Sequence, residues 1–234
     1  MKNIIKYPGK ELELFDKANF FRFYIYLLIK KYIGKKVIEV GAGIGSFTKV
    51  YLKKNINIIV SETDKYNLNT LKRKFKNYKN IKVQNKLIAQ FKESFDTILY
   101  LNVLEHIKED KKEISNAIEH LNYHGHLVIC VPAHEYMYSK FDKEIGHYRR
   151  YNVNFFDKLK LKNSIVKKRY FIDSSGHLLY YLNKIFFSKE TYPSKFKIAI
   201  WDKIFLPISF VLDFLSLYTR GKNIICIIEK TSKK

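Results

Sequence analysis

The residues best placed to do chemistry begin at Val37-Ile38-Glu39-Val40-Gly41-Ala42-Gly43-Ile44-Gly45-Ser46-Phe47-Thr48. A short apolar run, rich in β-branched residues, gives way to glycines at alternate positions and then to a helix-like segment. A strand, a glycine turn and a helix together make a ligand cradle. Glycine lets the backbone approach the ligand, and the helix start offers unpaired N–H donors. The details exclude two common cradles. The dinucleotide fingerprint G-x-G-x-x-G needs a sixth-position glycine, where this chain has Ser46, and the P-loop needs Gly-Lys-Ser/Thr, which is missing. What is present instead is an acid inside the strand, Glu39. A second acid, Glu62, closes the next apolar run, Ile58-Ile59-Val60, 21 residues after Gly41. A carboxylate there can accept two hydrogen bonds from a ribose diol.

A second group of residues could move protons. Imidazole titrates near neutrality, which suits a general base. His147 stands in Gly146-His147-Tyr148-Arg149-Arg150-Tyr151, close to Asp142. It is the leading base, with a loop-pinning hydrogen bonder as the competing role. His106, next to Glu105, is second, with helix capping as its alternative. His134, just past Pro132, is third. His120, His124, His126 and His177 have no supporting context. Arg149 and Arg150 could grip a phosphate or carboxylate of an acceptor in bidentate fashion, or one could pair with Asp142 and order the loop. Tyr138 and Tyr151 flank the same loop and are expected at the acceptor. There is no CxxC and no HExxH, and Cys130 and Cys226 sit in apolar runs as small buried hydrophobes, so no metal site is expected.

The elements that must position these groups alternate. Lys10–Ile33 reads as an aromatic helix closed by Gly34. Strands follow at Lys35–Val40, Ile56–Val60, Ile81–Val83, Phe95–Tyr100, Leu127–Val131, Ile165–Ile172 and Asn223–Glu229. Helices are expected at Ser46–Lys54, Lys65–Tyr78, Asp110–Leu121 and Asn154–Leu161. The alternation predicts an α/β, doubly wound, mostly parallel seven-stranded Rossmann-like sheet. One domain is expected over residues 1–234: an N-terminal helical segment 1–34, a core 35–173, a helical insertion 174–221, and a last strand and tail 222–234.

The stretch VIEVGAGIGSFT, the acid in VSETD and the segment FDTILYLNVLEHI together resemble class I S-adenosylmethionine-dependent methyltransferases. Within that superfamily, PAHEYMYSKFDKEIGHYRRYN resembles a bacterial subgroup with a "GHyRRY" loop after strand five. The resemblance implies S-adenosylmethionine as cofactor. It implies that Glu39, Gly41, Gly43 and Gly45 line the methionine portion, that Glu62 holds the ribose hydroxyls, and that the Asn102 backbone carbonyl lies under the methionine amino group. Many members carry an acid after strand three for the adenine amine; here Asn85 stands there and can accept the same hydrogen bond.

Composition bounds the partners. The 44 Lys+Arg against 22 Asp+Glu give a net charge of +22, which invites a nucleic-acid or anionic-membrane partner. The excess is mostly scattered lysine, accompanied by abundant Asn, Ile, Tyr and Phe, as an A+T-rich genome produces. Nucleic-acid base methyltransferases of the superfamily carry Asn/Asp-Pro-Pro-Tyr/Phe after strand four. Here Leu101-Asn102-Val103-Leu104 has no proline and no aromatic, which disfavours an RNA- or DNA-directed role. The expected acceptor is a small-molecule, glycan or lipid-linked one, methylated on oxygen. RNA methylation, or a non-catalytic membrane-surface protein with this fold, are the alternatives. The run Ile204–Tyr218, 15 residues that include Pro207 and Asp213, is too short to span a bilayer, which takes ~20 apolar residues. The insertion 174–221 is expected either as a lid over the site or, through 201–218, as a peripheral membrane contact. Met1–Lys10 lacks a signal-peptide pattern, so a cytoplasmic location is expected.

Overall fold

The computed structural model describes residues 11–152, 154–186 and 193–232. Seven strands form one sheet: β1 Lys36–Val40, β2 Asn57–Ser61, β3 Ile81–Gln84, β4 Phe95–Leu101, β5 Leu121–Pro132, β6 Ser164–Ile172 and β7 Asn223–Lys230, in the spatial order β3-β2-β1-β4-β5-β7-β6. The order reverses at β1, where β2 lies on one side and β4 on the other. Open α/β sheets bind ligands outside the strand ends at that switch point. β1 pairs in parallel with β2 and β4, β2 with β3, and β4 with β5. β7 runs antiparallel to both β5 and β6, so the sheet is mixed.

Central strands of a sheet covered on both faces need apolar side chains on both. Val37 and Ile38 on β1, Ile98 and Leu99 on β4, and Leu127 and Val128 on β5 are accordingly all fully buried. One core layer joins Val37, Leu99 and Val128 to Tyr24, Ile25 and Ile29 of helix α2, Asn19–Ile29. The other joins Ile38, Ile98 and Leu127 to Ile114 and Ile118 of helix α5, Asp110–Glu119.

Several element boundaries depart from the sequence expectations. The N-terminal helix is broken at residues 16–18 into α1, Glu11–Phe15, and α2, and ends in a 3₁₀ turn at Lys30–Tyr32. The helix expected over Ser46–Lys54 contracts to α3, Thr48–Tyr51, because three successive glycines in the left-handed region consume the preceding residues. Helix α4 is Lys65–Lys74, opened by Asp64, whose side chain accepts from the Asn67 N–H. β5 starts at Leu121 rather than Leu127, and places His126 on the strand opposite Thr97. Among the described residues of 154–161 there are turns but no helix. The loop after β5 instead holds α6, Lys140–Glu144, with a Ser139/Asp142 capping box. The insertion folds as α7 Ser174–Phe186, α8 Lys195–Ile200, a π-helical turn Trp201–Phe205 and α9 Leu206–Leu215, with Pro207 in the first turn of α9, where a missing N–H does no harm. Among the described residues no helix is long and apolar enough to cross a membrane.

Candidate active site

The glycine turn sits at the C-terminal end of β1. Gly41, Gly43 and Gly45 have φ of +65°, +55° and +74°. The two outer glycines are also required by close packing. A Cβ on Gly41 would lie 2.8 Å from Val103, and one on Gly45 would lie 2.6 Å from Phe75 and 2.8 Å from Leu71. Gly43 faces the N-terminal segment, with Leu12 of α1 at 3.3 Å from a notional Cβ. The Glu62 carboxylate binds this turn directly. It accepts from the Gly43 N–H at 2.9 Å and, at its other oxygen, from the N–H groups of Thr63 and Asp64 at 2.7 and 2.8 Å. Burial raises its pKa, against the pull of those three donors. An oxygen with one donor keeps a second lone pair, so Glu62 Oε2 can still accept from a hydroxyl at the sheet edge.

Glu39 is placed differently. Its carboxylate accepts from Thr48 Oγ1 at 2.7 Å and from the Tyr51 hydroxyl, and so braces α3 against β1 from within the core. Burial pushes its pKa up to about 7, with the two hydroxyl donors pulling the other way. Asn85 donates from its side-chain amide to the carbonyls of Glu62 and Thr63, which leaves its carbonyl oxygen as the acceptor beside the cradle. Asn102, just past β4, adopts φ +58° while its N–H donates to the Cys130 carbonyl. Asn is among the few non-glycine residues that tolerate this conformation, and strain of this kind concentrates at sites.

The second half of the site joins two loops. The backbone N–H of Tyr148 donates to the Glu105 carbonyl at 2.7 Å, stitching the Gly146–Tyr151 segment to the 3₁₀ turn Leu104–His106 that follows β4. Three side chains therefore meet. His147 Nδ1 lies 2.8 Å from Asp142 Oδ1, and its Nε2 lies 3.9 Å from Glu105 Oε1. The His106 and His147 rings meet edge to face at 4.6 Å. Glu105, His106 and His147 each offer one ligand-type atom, all within 4.8 Å of one another. Glu105 is fully buried, and neither of its carboxylate oxygens has a hydrogen-bond partner. Burial drives its pKa up to about 7, opposed by His147. Burial and the neighbouring His147 take His106 down to about 3. Asp142, although buried, is held well below the usual carboxylate range by His147, Arg150 and Ser139.

The remaining expected site residues are largely committed within the loop. Arg150 Nε pairs with Asp142 at 2.9 Å, and Arg149 Nη1 with Asp110 at 2.8 Å. The buried Tyr151 hydroxyl donates to Asp110 at 3.1 Å. The Tyr138 hydroxyl donates to the His147 carbonyl at 2.6 Å. Arg149 and Arg150 also line a cleft of about 400 Å³ together with Lys111, Asn152 and Lys158. His134 stacks between Tyr136, Phe171 and His177 and bonds the Gly221 carbonyl, linking the loop to the insertion.

Two functional-looking acids escaped the sequence reading. Glu105 was visible only as a neighbour of His106; its burial and its lack of partners are tertiary facts. Asp202 lies in the insertion, 182 and 181 residues from the two backbone N–H groups it accepts from, Phe20 at 3.2 Å and Phe21 at 2.9 Å. No local pattern could signal a helix cap supplied from that distance. Asp213 does similar work, accepting from the Asp173 and Ser174 N–H groups and from the Tyr24 hydroxyl. Asp202 and Asp213 are thus turned inward, while Phe196, Ile204, Val211, Phe214, Leu215 and Leu217 stay exposed.

Comparison with known proteins bears on the family and the fold. A family model described as a methyltransferase domain matches residues 14–170. No curated protein is similar in sequence. Among solved structures, coclaurine N-methyltransferase bound to N-methylheliamine and S-adenosylhomocysteine superposes with a TM-score of 0.62 at 14% identity, covering 98% of this chain and 77% of its own. The N-methyltransferase NodS from Bradyrhizobium japonicum WM9, in complex with S-adenosylhomocysteine, gives 0.61 at 13% identity, covering 97% and 95%. The [4+2]-cyclase SpnF gives 0.61 at 14% identity, covering 90% and 81%. At such identities the structures share the fold, and the same fold carries more than one chemistry. The match over residues 14–170, two thirds of the sequence, decides the family: the chain belongs to the methyltransferase-domain family.

Proposed function

We propose that the protein transfers a methyl group from S-adenosylmethionine to an oxygen of a small-molecule, glycan or lipid-linked acceptor. The observation that carries the reading is the Glu62–Gly43 contact within a turn of three left-handed glycines, which presents an acid and a close backbone at the switch point of the sheet. The residues present fit the cofactor: Gly41, Gly43 and Gly45 would line its methionine portion, Glu62 would take the ribose hydroxyls, Asn85 would accept from the adenine amine, and the Asn102 carbonyl would take the methionine amino group. When bound, it supplies an activated methyl, so the protein has to align the acceptor oxygen and activate it. Activation falls to His147. Asp142 fixes its ring and leaves Nε2 facing Glu105 and His106. Tyr138, Arg149, Arg150 and Tyr151 shape the acceptor side, and the basic cleft beside them suits an anionic group on the acceptor.

The exposed apolar side of α9 supports a peripheral membrane contact through 201–218, which fits a lipid-linked acceptor. Its two acids are turned inward, and Lys195, Lys197 and Lys203 lie close by in sequence. The reading treats residues 1–234 as one catalytic unit in which 174–221 covers the edge of the site. The test is His147→Ala. It should lower the methyl-transfer rate on a responsive acceptor by more than about tenfold and leave the dissociation constant for S-adenosylhomocysteine unchanged. Equal rates would remove His147 from catalysis.

A further inference from the structure

Resting on methyl transfer to an acceptor oxygen, but with His147 as a cation ligand in place of a free general base, we infer that Glu105, His106 and His147 form a binding site for a divalent first-row cation, which activates the acceptor oxygen. A fully buried carboxylate with both oxygens unpartnered is an expensive thing to keep in a folded chain, and such groups are paired or coordinate metals. The group that faces it is His147 Nε2, at 3.9 Å from Oε1. That separation is too long for a hydrogen bond. It is a separation that two donors bound to one cation at ~2.1 Å can have.

The two imidazoles are built as ligands are built. A ligating histidine gives its other ring N–H to a carboxylate or a backbone carbonyl, which fixes the tautomer and aims the remaining lone pair. His147 gives Nδ1 to Asp142, which Ser139 and Arg150 hold in turn. The His106 ring bonds the Gly146 carbonyl. The backbone bond from Tyr148 to Glu105 sets the two loops against each other and brings the three donors within 4.8 Å of one another, from which a cation at ~2.1 Å from each would draw them closer. Two nitrogens and one carboxylate form the donor set of Fe²⁺, Co²⁺ and Zn²⁺ rather than of Mg²⁺ or Ca²⁺. Three protein ligands leave positions for an acceptor hydroxyl. A hydroxyl bound there loses its proton to solvent near neutral pH and keeps its electron pair on oxygen. That pair forms the new O–C bond while the S–C bonding pair stays on sulfur, which leaves as the neutral thioether. In this scheme His147 serves as a ligand, and its loss and the loss of the cation have the same effect.

The test uses the full chain after chelator treatment and dialysis. Co²⁺ is followed by its visible absorption, and Zn²⁺ and Mg²⁺ by calorimetry, with S-adenosylhomocysteine titrated separately into every sample. The expected result is one saturable Co²⁺ or Zn²⁺ per chain with Mg²⁺ much weaker. Glu105→Gln should weaken Zn²⁺ at least tenfold, and Asp142→Asn by 10- to 100-fold, as orienting partners of metal ligands do. S-adenosylhomocysteine affinity should be unchanged in both variants, which also shows that they fold. Absence of saturable Co²⁺ and Zn²⁺ binding to the parent, or equal affinity in Glu105→Gln, overturns the cation site. If the cations bind as described but S-adenosylhomocysteine does not bind the parent, the methyl-transfer reading fails and the cation site stands.

Discussion

Replacing Glu39 by Gln isolates one buried charge. Glu39 is 3% exposed and bonded only to the hydroxyls of Thr48 and Tyr51, with its pKa raised from 4.5 to about 7. A carboxyl whose folded pKa lies above its unfolded value favours the folded state fully below pH 4.5. That contribution falls away as pH rises through the folded value, and it is gone above it. Between pH 5 and pH 8 these two pKa values imply a loss of about 2–3 kcal/mol. Gln has a similar shape, keeps an acceptor for the two hydroxyls and does not titrate. The parent and Glu39→Gln should therefore diverge as pH rises, with the variant gaining about 2–3 kcal/mol relative to the parent. For a chain of this size that is roughly 5–10 °C in Tm. Thermal unfolding followed by circular dichroism at pH 5 and pH 8 reads the difference, and every other titrating group cancels between the two proteins. A Tm difference that stays constant within 1–2 °C across that range would refute the placement of Glu39 as a buried, hydroxyl-bonded acid.

Other outcomes follow from the same geometry. Asp202→Ala removes the long-range cap of α2 and leaves the buried Phe21 N–H without an acceptor. It should cost about 2–3 kcal/mol, read as a lower urea midpoint at unchanged m-value. Both positions have a positive φ; Gly45→Ala also meets the Phe75 ring and should cost about 2–5 kcal/mol, whereas Gly43→Ala meets only the flexible Leu12 side chain besides and should cost about 1–2 kcal/mol in the same assay. Phe214→Asp with Leu215→Asp, both at exposed positions, should abolish sedimentation with vesicles containing anionic lipid without lowering Tm; undiminished co-sedimentation would remove α9 as the membrane contact.

What the sequence made legible, and what it hid, divides along a physical line. The glycine turn, the strands and the acid at Glu62 were readable because each depends on local chemistry: β-branched runs, alternate glycines and a carboxylate at a strand end. The bringing together of the LEH and GHYRRY segments was not readable. It depends on one backbone bond between residues 105 and 148 and on a capping box that turns α6. The arginines show the same limit. Arg150 pairs with Asp142, the loop-ordering alternative, while Arg149 turns to Asp110 on α5, a partner 39 positions away. A mostly parallel sheet left the direction of each strand open, and β7 runs antiparallel between β5 and β6 because an apolar run such as IICIIEK reads alike in either direction.

The most direct measurement is a calorimetric titration of the purified chain with S-adenosylhomocysteine. The account predicts saturable binding at one molecule per chain, lost in Gly43→Leu and weakened at least tenfold in Glu62→Ala. Absence of saturable heat in the parent, or an undiminished affinity in Glu62→Ala, would contradict the assignment of the glycine turn as the methyl-donor cradle.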